Sequence, residues 1–163
     1  MEALRMKLSD IIPENGILDD LKATQKEEVI KEMVQALVKA GKVEESASKK
    51  VIKALMDREE LGSTGIGSGV AVPHAKHDSV TELVGVFGRS RKGINFDALD
   101  AEPVHVLFLV LSSKGASAVH LEALACISRL VRDEKFVRFM REAKDVAALR
   151  ELLKEADETF GGN

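Results

Sequence analysis

Residues 62–74 read GSTGIGSGVAVPH, and they separate a helical part of the chain from a part with strand patterns. Four glycines among residues 62–69 leave too few side chains to pack a helix, so this segment is predicted to be a shaped loop. The apolar run from Val70 to Pro73 predicts a short strand, because the residue before a proline favours extended backbone and a proline ends ladder pairing. His74 is therefore predicted at a strand end, beside a glycine-rich loop.

Two helices are predicted before this stretch. Apolar residues recur at helical spacing from Thr24 to Ala40, with Thr24 and Glu27 placed as a capping box and Gly41 as the stop. A second helix is predicted from about Glu44 to Glu60. Both helices precede the residues that could perform chemistry.

Strands and helices alternate in the remainder of the chain. The β-branched and apolar runs Leu83–Arg89 and Val104–Leu111 predict strands, the second buried on both faces. Three helices follow: one from Ser117 as its N-cap, one over 134–142, and one over 145–156 capped by Asp145. The tail after residue 160 is predicted to be frayed. The whole pattern predicts an α/β fold with a mixed β-sheet of about four or five strands and helices packed on both faces.

Length and composition narrow the possible classes of protein. A chain of 163 residues, 45% hydrophobic and 31% charged, predicts a single domain over 1–163. The 24 basic and 27 acidic residues are interspersed, so no nucleic acid partner is expected. The longest apolar run, Val104–Leu111, is far shorter than the roughly 20 residues that span a bilayer, so no membrane insertion is expected.

The one cysteine, Cys126, cannot form an intramolecular disulfide, and no secretory signal is evident. A reducing, cytoplasmic location is therefore predicted. Cys126 lies within an apolar helical pattern, which favours a place in the core.

Four histidines are available, and a histidine taken at random is more often structural than catalytic. His105 alternates with apolar neighbours in a strand and is predicted to be structural, while His77 is predicted to be solvated. His74 differs, because backbone amides of the neighbouring glycine loop could cradle phosphate oxygens. His120 is predicted in the first turn of a helix, where the dipole disfavours a further proton and favours an anion; the alternative is a residue that faces water.

A longer motif surrounds His74. Arg58-Glu59, followed by the run TGIGSGVAVPHA at residues 64–75, closely resembles the active-site signature of phosphotransferase-system enzyme IIA domains of the fructose/mannitol class, including the nitrogen-regulatory branch. The similarity continues through residues 93–111 and His120-Leu121. It covers about Leu8 to Leu153, nearly the whole chain.

The resemblance implies a role for each matching residue. His74 would be phosphorylated by a small histidine-containing phosphocarrier protein whose phosphoryl group comes from phosphoenolpyruvate. His120 would be the second active-site histidine, with Arg58 beside the site and Thr64 and Gly67 supporting it. The family scheme requires no metal and no cofactor, because phosphoryl transfer is promoted mainly by positioning and by donors around the phosphoryl oxygens.

The resemblance leaves two functions open. One is a phosphorelay that passes the phosphoryl group to a sugar-transport IIB component, acting as a phosphotransferase with a phosphohistidine intermediate. The alternative is a regulatory binding module whose phosphorylation state controls partner proteins without sugar transport. A third hypothesis, a metal hydrolase using His74, His77 and His120, is disfavoured because no acidic cluster or His-Glu-x-x-His motif completes a ligand set.

Overall fold

A computed structural model describes residues 6–160, and the predicted α/β class is confirmed. The helices in this range are α1 (Leu8–Ile11), α2 (Lys26–Lys39), α3 (Ser48–Glu60), α4 (Ser117–Val131), α5 (Glu134–Glu142) and α6 (Val146–Phe160). The strands are β1 (Ile17–Leu18), β2 (Gly65–Gly67), β3 (Val70–Ala71), β4 (His74–Lys76), β5 (Val84–Ile94) and β6 (Val104–Ser112). The predicted frayed tail lies outside the described residues.

The sheet is mixed and contains six strands over residues 6–160, rather than four or five. Its order is β1-β5-β6-β3-β2, and β4 also pairs with β6. The additional strands are two or three residues long, too short for an alternating pattern to reveal them. β5 and β6 form a long antiparallel pair, whereas β3 and β4 both run parallel to β6 along its other edge.

Helices cover both faces of the sheet, as the sequence predicts. α2 and α3 pack on one face, where Leu107 and Leu109 of β6 join their core. α1, α4, α5 and α6 supply the core on the other face, where Val106 and Phe108 of β6 lie. β6 is therefore buried on both sides, which confirms the prediction from its apolar run, a run interrupted at His105.

The helix starts differ from their predicted caps in two places. α2 begins at Lys26, and the predicted capping box does not form because Gln25 pairs with Asn95 in an isolated bridge and Glu27 contacts Lys31 at 3.3 Å. α3 begins at Ser48 instead of residue 44, since residues 45–47 form a tighter 3₁₀ turn. Distant backbone pairing has overridden the local signal at α2.

The later helices follow the sequence more closely. Ser117 is the first residue of α4 and not its N-cap, and its hydroxyl instead accepts a hydrogen bond from Lys76 Nζ at 3.0 Å. Asp145 does cap α6, accepting the Ala148 N–H at 2.9 Å. No helix within residues 6–160 is both long enough and apolar enough to cross a membrane.

The glycine-rich segment, predicted to be a shaped loop, includes a short strand. Gly65–Gly67 forms β2, which pairs antiparallel with β3, so the segment is a narrow hairpin. A Cβ at Gly65 would lie 2.8 Å from the Ala98 Cβ, a distance that no side chain tolerates. The glycine is needed here because two backbones approach closely.

Candidate active site

His74 and His120 lie together, as the resemblance implies. Their ring centroids are 5.6 Å apart and the rings are tilted by 54°. His74 is the first residue of β4, beside Val110 of β6, and does not end the preceding strand as predicted. Pro73 lies between β3 and β4 and separates them. Both short strands pair with the same edge of β6.

The tautomer of His74 follows from its neighbour. Its Nδ1 lies 2.7 Å from the Val72 carbonyl oxygen, which can only accept a hydrogen bond. Nδ1 therefore holds the proton, and the lone pair is on Nε2. Burial lowers the pKa of His74, opposed by the bond to Val72 and assisted by the positive charge of Arg58. The imidazole is neutral at physiological pH, the form that acts as a nucleophile.

His120 is deeper in the protein. Its side chain is buried, so the alternative that it faces water is wrong. Burial is the main cause that lowers its pKa to about 4, with the charges of His74 and Lys76 adding to the effect. The direction agrees with the sequence prediction, but burial and not the helix dipole is the leading cause. Two neutral imidazoles thus face each other.

Ser112 is a site residue that the sequence does not reveal. It ends β6, is fully buried, and its Oγ lies 2.6 Å from His120 Nδ1. A serine at the end of an apolar strand is an ordinary feature, and only the packing of α4 on β6 brings its hydroxyl to the imidazole. The Ser112 hydroxyl can donate to Nδ1 or accept from it, so its orientation is coupled to the nitrogen of His120 that holds the proton.

Arg58 lies at the end of α3 with one guanidinium nitrogen, Nη1, 2.8 Å from the Gly62 carbonyl oxygen. It lines a pocket of about 210 Å³ together with His74. The remaining lining residues are Ser63, Thr64, Ile66, Val72, Leu124 and Ser128. The structure thus brings three predicted residues, Arg58, Thr64 and His74, to one cavity.

A buried acidic residue holds Thr64 in place. Glu59 accepts the Thr64 N–H at 3.0 Å and also accepts its hydroxyl, while Lys26 Nζ contacts the same carboxylate at 3.1 Å. The Thr64 hydroxyl is therefore committed to Glu59, and the residue supports the site as part of its wall. Glu59 belongs to the sequence motif, but only these contacts give it a role.

The sequence predicted that backbone amides of the glycine-rich segment could bind phosphate oxygens, and this prediction is wrong for three of these amides. The amides of Thr64, Gly65 and Ser68 donate to Glu59, Ser63 Oγ and Asp100 Oδ2 respectively. These donors satisfy side chains of the protein and are not available to a phosphate.

Gly67 is not among the residues that line the pocket with His74. A Cβ there would lie 3.4 Å from Asp100 Oδ2, and its φ of 103° suits glycine. Its predicted supporting role stays a prediction.

The other two histidines lie outside this pocket. His105 Nδ1 is 2.8 Å from the Ser90 carbonyl oxygen, and His77 Nδ1 accepts the Ser79 N–H at 3.1 Å. His77 is half-buried instead of fully solvated. Within residues 6–160, no three His, Cys, Asp or Glu side chains are grouped as they would be around a metal ion. Cys126 is buried in the core, as predicted, and burial raises the pKa of its thiol.

Comparison with known proteins places this geometry in context. Residues 10–156 match the family model described as phosphoenolpyruvate-dependent sugar phosphotransferase system, EIIA 2. The PTS system fructose-specific EIIABC component of Bacillus subtilis is 37% identical over 93% of this chain, which spans 24% of that protein. A nitrogen regulatory protein of Bradyrhizobium diazoefficiens is 35% identical over 91% of this chain and 95% of its own length.

Two solved structures of enzyme IIA proteins are similar to this chain. The nitrogen regulatory protein IIA-Ntr of Neisseria meningitidis is similar with a TM-score of 0.79 and 31% identity, covering 88% of this chain and 97% of that one. Enzyme IIAMtl of Escherichia coli, in complex with phosphorylated enzyme IIBMtl, is similar with a TM-score of 0.73 and 25% identity, covering 86% of this chain and 95% of that one.

Proposed function

This chain belongs to the EIIA 2 family of the phosphoenolpyruvate-dependent sugar phosphotransferase system, and we propose that it accepts a phosphoryl group on His74 Nε2 and passes it on. The observation that supports the proposal best is the pair of neutral imidazoles, whose ring centroids are 5.6 Å apart, with the lone pair of His74 on Nε2. The donor is a histidine-containing phosphocarrier protein. The chain acts as a phosphotransferase through a phosphohistidine intermediate.

The transfer uses the existing tautomer of His74. Its Nε2 lone pair attacks the phosphorus, a new N–P bond forms, and the N–P bond to the donor imidazole breaks with its electron pair returning to that ring. The Nδ1 proton stays on His74, where the Val72 carbonyl stabilises the positive charge that develops on the ring. Because phosphohistidine has a good leaving group, the same site can donate to the next acceptor.

His120 and Arg58 stabilise the phosphoryl oxygens. If the Ser112 hydroxyl donates to His120 Nδ1, the imidazole proton is on Nε2 and can be donated to a phosphoryl oxygen. The guanidinium of Arg58 adds positive charge at the same pocket. These two groups replace the backbone cradle that the sequence suggested.

Apolar surface at the pocket suits a protein donor. Ile66 lines the pocket and is 49% exposed, and the partly exposed Leu124 of α4 lines it as well. Exposed apolar side chains around a polar centre are typical of protein–protein contact surfaces. The phosphocarrier would dock here, so that its phosphohistidine faces His74.

The recipient is a IIB component in the leading version of the proposal. The resemblance to an enzyme IIA solved in complex with a phosphorylated enzyme IIB supports it. Relatives named nitrogen regulatory proteins favour the alternative, a module whose phosphorylation state controls target proteins. Pull-downs with His74→Ala and His74→Asp separate the two, since a regulatory module should bind a partner in one state and a relay should show no stable preference.

Phosphorylation of the full chain tests the central claim. Incubation with phosphoenolpyruvate, enzyme I and the phosphocarrier should add one acid-labile phosphoryl group, which mass spectrometry locates on His74. His74→Ala should abolish labelling, whereas the matched change His77→Ala should leave it intact. Labelling of another residue would overturn the proposal. The single domain and the cytoplasmic location remain predictions of the sequence.

A further inference from the structure

A second cavity lies outside the His74 pocket. It has a volume of about 680 Å³, within the usual range for small-molecule sites, and shares no lining residue with the His74 pocket. We call it the arginine cleft. The residues that define it here are Arg91 of β5, His105 of β6, and Glu134, Arg138, Arg141 and Glu142 of α5.

We propose that the arginine cleft binds a small metabolite with carboxylate or phosphate groups. Three guanidinium groups, those of Arg91, Arg138 and Arg141, line one cavity. Within residues 6–160, none of the three forms an ion pair with a carboxylate. Arginine presents five N–H donors in a fork that matches the oxygens of carboxylate and phosphate groups.

The two carboxylates of the cleft form no direct ion pair with these arginines within residues 6–160. Glu134 is in the first turn of α5, where the positive end of the helix dipole stabilises it. Glu142 is four residues after Arg138, yet no ion pair joins them in the described structure. The two carboxylates would repel a long polyanion that extended across the cleft. A compact anion can contact the arginines without approaching the carboxylates.

A buried arginine removes an obstacle to anion binding at this end of α5. Arg89 Nη1 donates to the carbonyl oxygens of Met140 and Arg141 at 3.1 and 2.9 Å. These carbonyls belong to the end of the helix, whose partial negative charge would otherwise repel an anion near Arg141. Arg89 is fully buried, so its guanidinium is fixed beside them.

Apolar and neutral groups complete the cleft. Val131 and Val137 supply apolar surface, which can contact the carbon skeleton of a metabolite. His105 Nδ1 donates to the Ser90 carbonyl, which holds the ring in a defined orientation at the cleft. Because Arg91 Nη2 already donates to the Lys144 carbonyl oxygen at 3.2 Å, the donors left for a ligand belong mainly to Arg138 and Arg141. Next to apolar surface, these donors favour an organic anion with a small carbon skeleton.

NMR titration of the full chain with inorganic phosphate and with succinate tests this proposal. At least one probe should cause saturable shifts at the Arg138 and Arg141 amides and side-chain Nε–H groups. Saturation by phosphate alone indicates a phosphorylated metabolite, and saturation by succinate alone a carboxylated one. The combined change Arg138→Gln and Arg141→Gln should weaken binding at least tenfold.

The matched control removes the same charge elsewhere. Lys135 and Lys154 are exposed and do not line the cleft, so Lys135→Gln with Lys154→Gln should leave binding within twofold. Equal weakening by both pairs would show diffuse electrostatic attraction and overturn the site. So would the absence of saturable shifts, or shifts only around His74. Each of these failures leaves the phosphorylation of His74 unaffected, because the two sites share no residue.

Discussion

The His74 pocket and the arginine cleft each combine histidine with arginine, but they arrange them oppositely. The pocket is small, about 210 Å³, and is lined by His74 and a single arginine, with the ring of His120 5.6 Å from that of His74. The cleft is about 680 Å³ and presents three exposed arginines with one histidine. Covalent transfer needs an unprotonated nucleophile, which burial provides, whereas reversible binding of an anion needs permanent charge within reach of solvent.

The largest expected difference between the two regions concerns their histidines. His120→Ala should lower the rate of phosphoryl transfer to His74 by about 10²–10³-fold, because a positioned hydrogen-bond donor to the phosphoryl oxygens is lost. The corresponding change in the cleft, His105→Ala, should leave the rate within twofold. Rapid-quench measurement with labelled phosphocarrier compares them. Equal losses would mean that the two regions are not functionally distinct.

The arginines provide a second paired test. Arg58→Gln should slow phosphoryl transfer by about 10–100-fold, since one charged donor beside the incoming phosphoryl group is removed. Arg138→Gln changes the same charge in the cleft and should not alter the rate. The same rapid-quench assay measures both variants. An unaffected Arg58→Gln would remove Arg58 from the proposed mechanism.

The next prediction concerns the hydrogen bond between Ser112 and His120. Ser112→Ala should slow transfer about tenfold, equivalent to one neutral hydrogen bond of ~1.4 kcal/mol, because the hydrogen bond between the Ser112 hydroxyl and His120 Nδ1 is lost. Ser112→Thr keeps the hydroxyl and should restore most of the rate. ¹⁵N shifts of His120 should report mixed tautomers only in the alanine variant.

The adjacent Ser113→Ala is the control for this change, because no side-chain hydrogen bond joins Ser113 to another described residue. It should leave both the rate and the His120 spectrum unchanged. A slow Ser112→Ala protein with an unaltered His120 spectrum would assign Ser112 a purely structural role.

A last prediction concerns stability at mildly acidic pH. The pKa of His120 is lowered to about 4 in the folded protein, so the unfolded chain binds more protons between about pH 6.5 and 4. Unfolding free energy should therefore decrease as pH falls through that window. Urea denaturation at several pH values gives the unfolding free energy as a function of pH, and its slope against pH should be shallower for His120→Asn than for the unaltered protein. An unchanged slope would contradict the neutral state of His120.

Local sequence signals predicted the α/β class, most helices and the two long strands correctly. The apolar run of β6 was sufficient to predict a strand buried on both faces, and Asp145 was correctly predicted as a helix cap. These features depend on residues that are neighbours in the chain. The motif around His74 likewise indicated the family, which the match over residues 10–156 confirms.

Short strands and long-range contacts could not be predicted in this way. β2 and β4 exist only because β3 and β6 offer partners, and the predicted capping box failed because Gln25 pairs with Asn95. Their stability comes from backbone partners distant in the chain. The glycines had suggested an open amide cradle, but folding satisfied several of those amides internally.

The sequence by itself identified Arg58, His74 and His120 as candidate site residues, because they fall within a recognisable motif. Only the tertiary structure decided how they act. Packing of α4 on β6 buries His120 against Ser112, and the backbone at Val72 assigns the proton of His74. Burial and hydrogen-bond partners set charge and tautomer, and both depend on groups that meet only after the chain has folded.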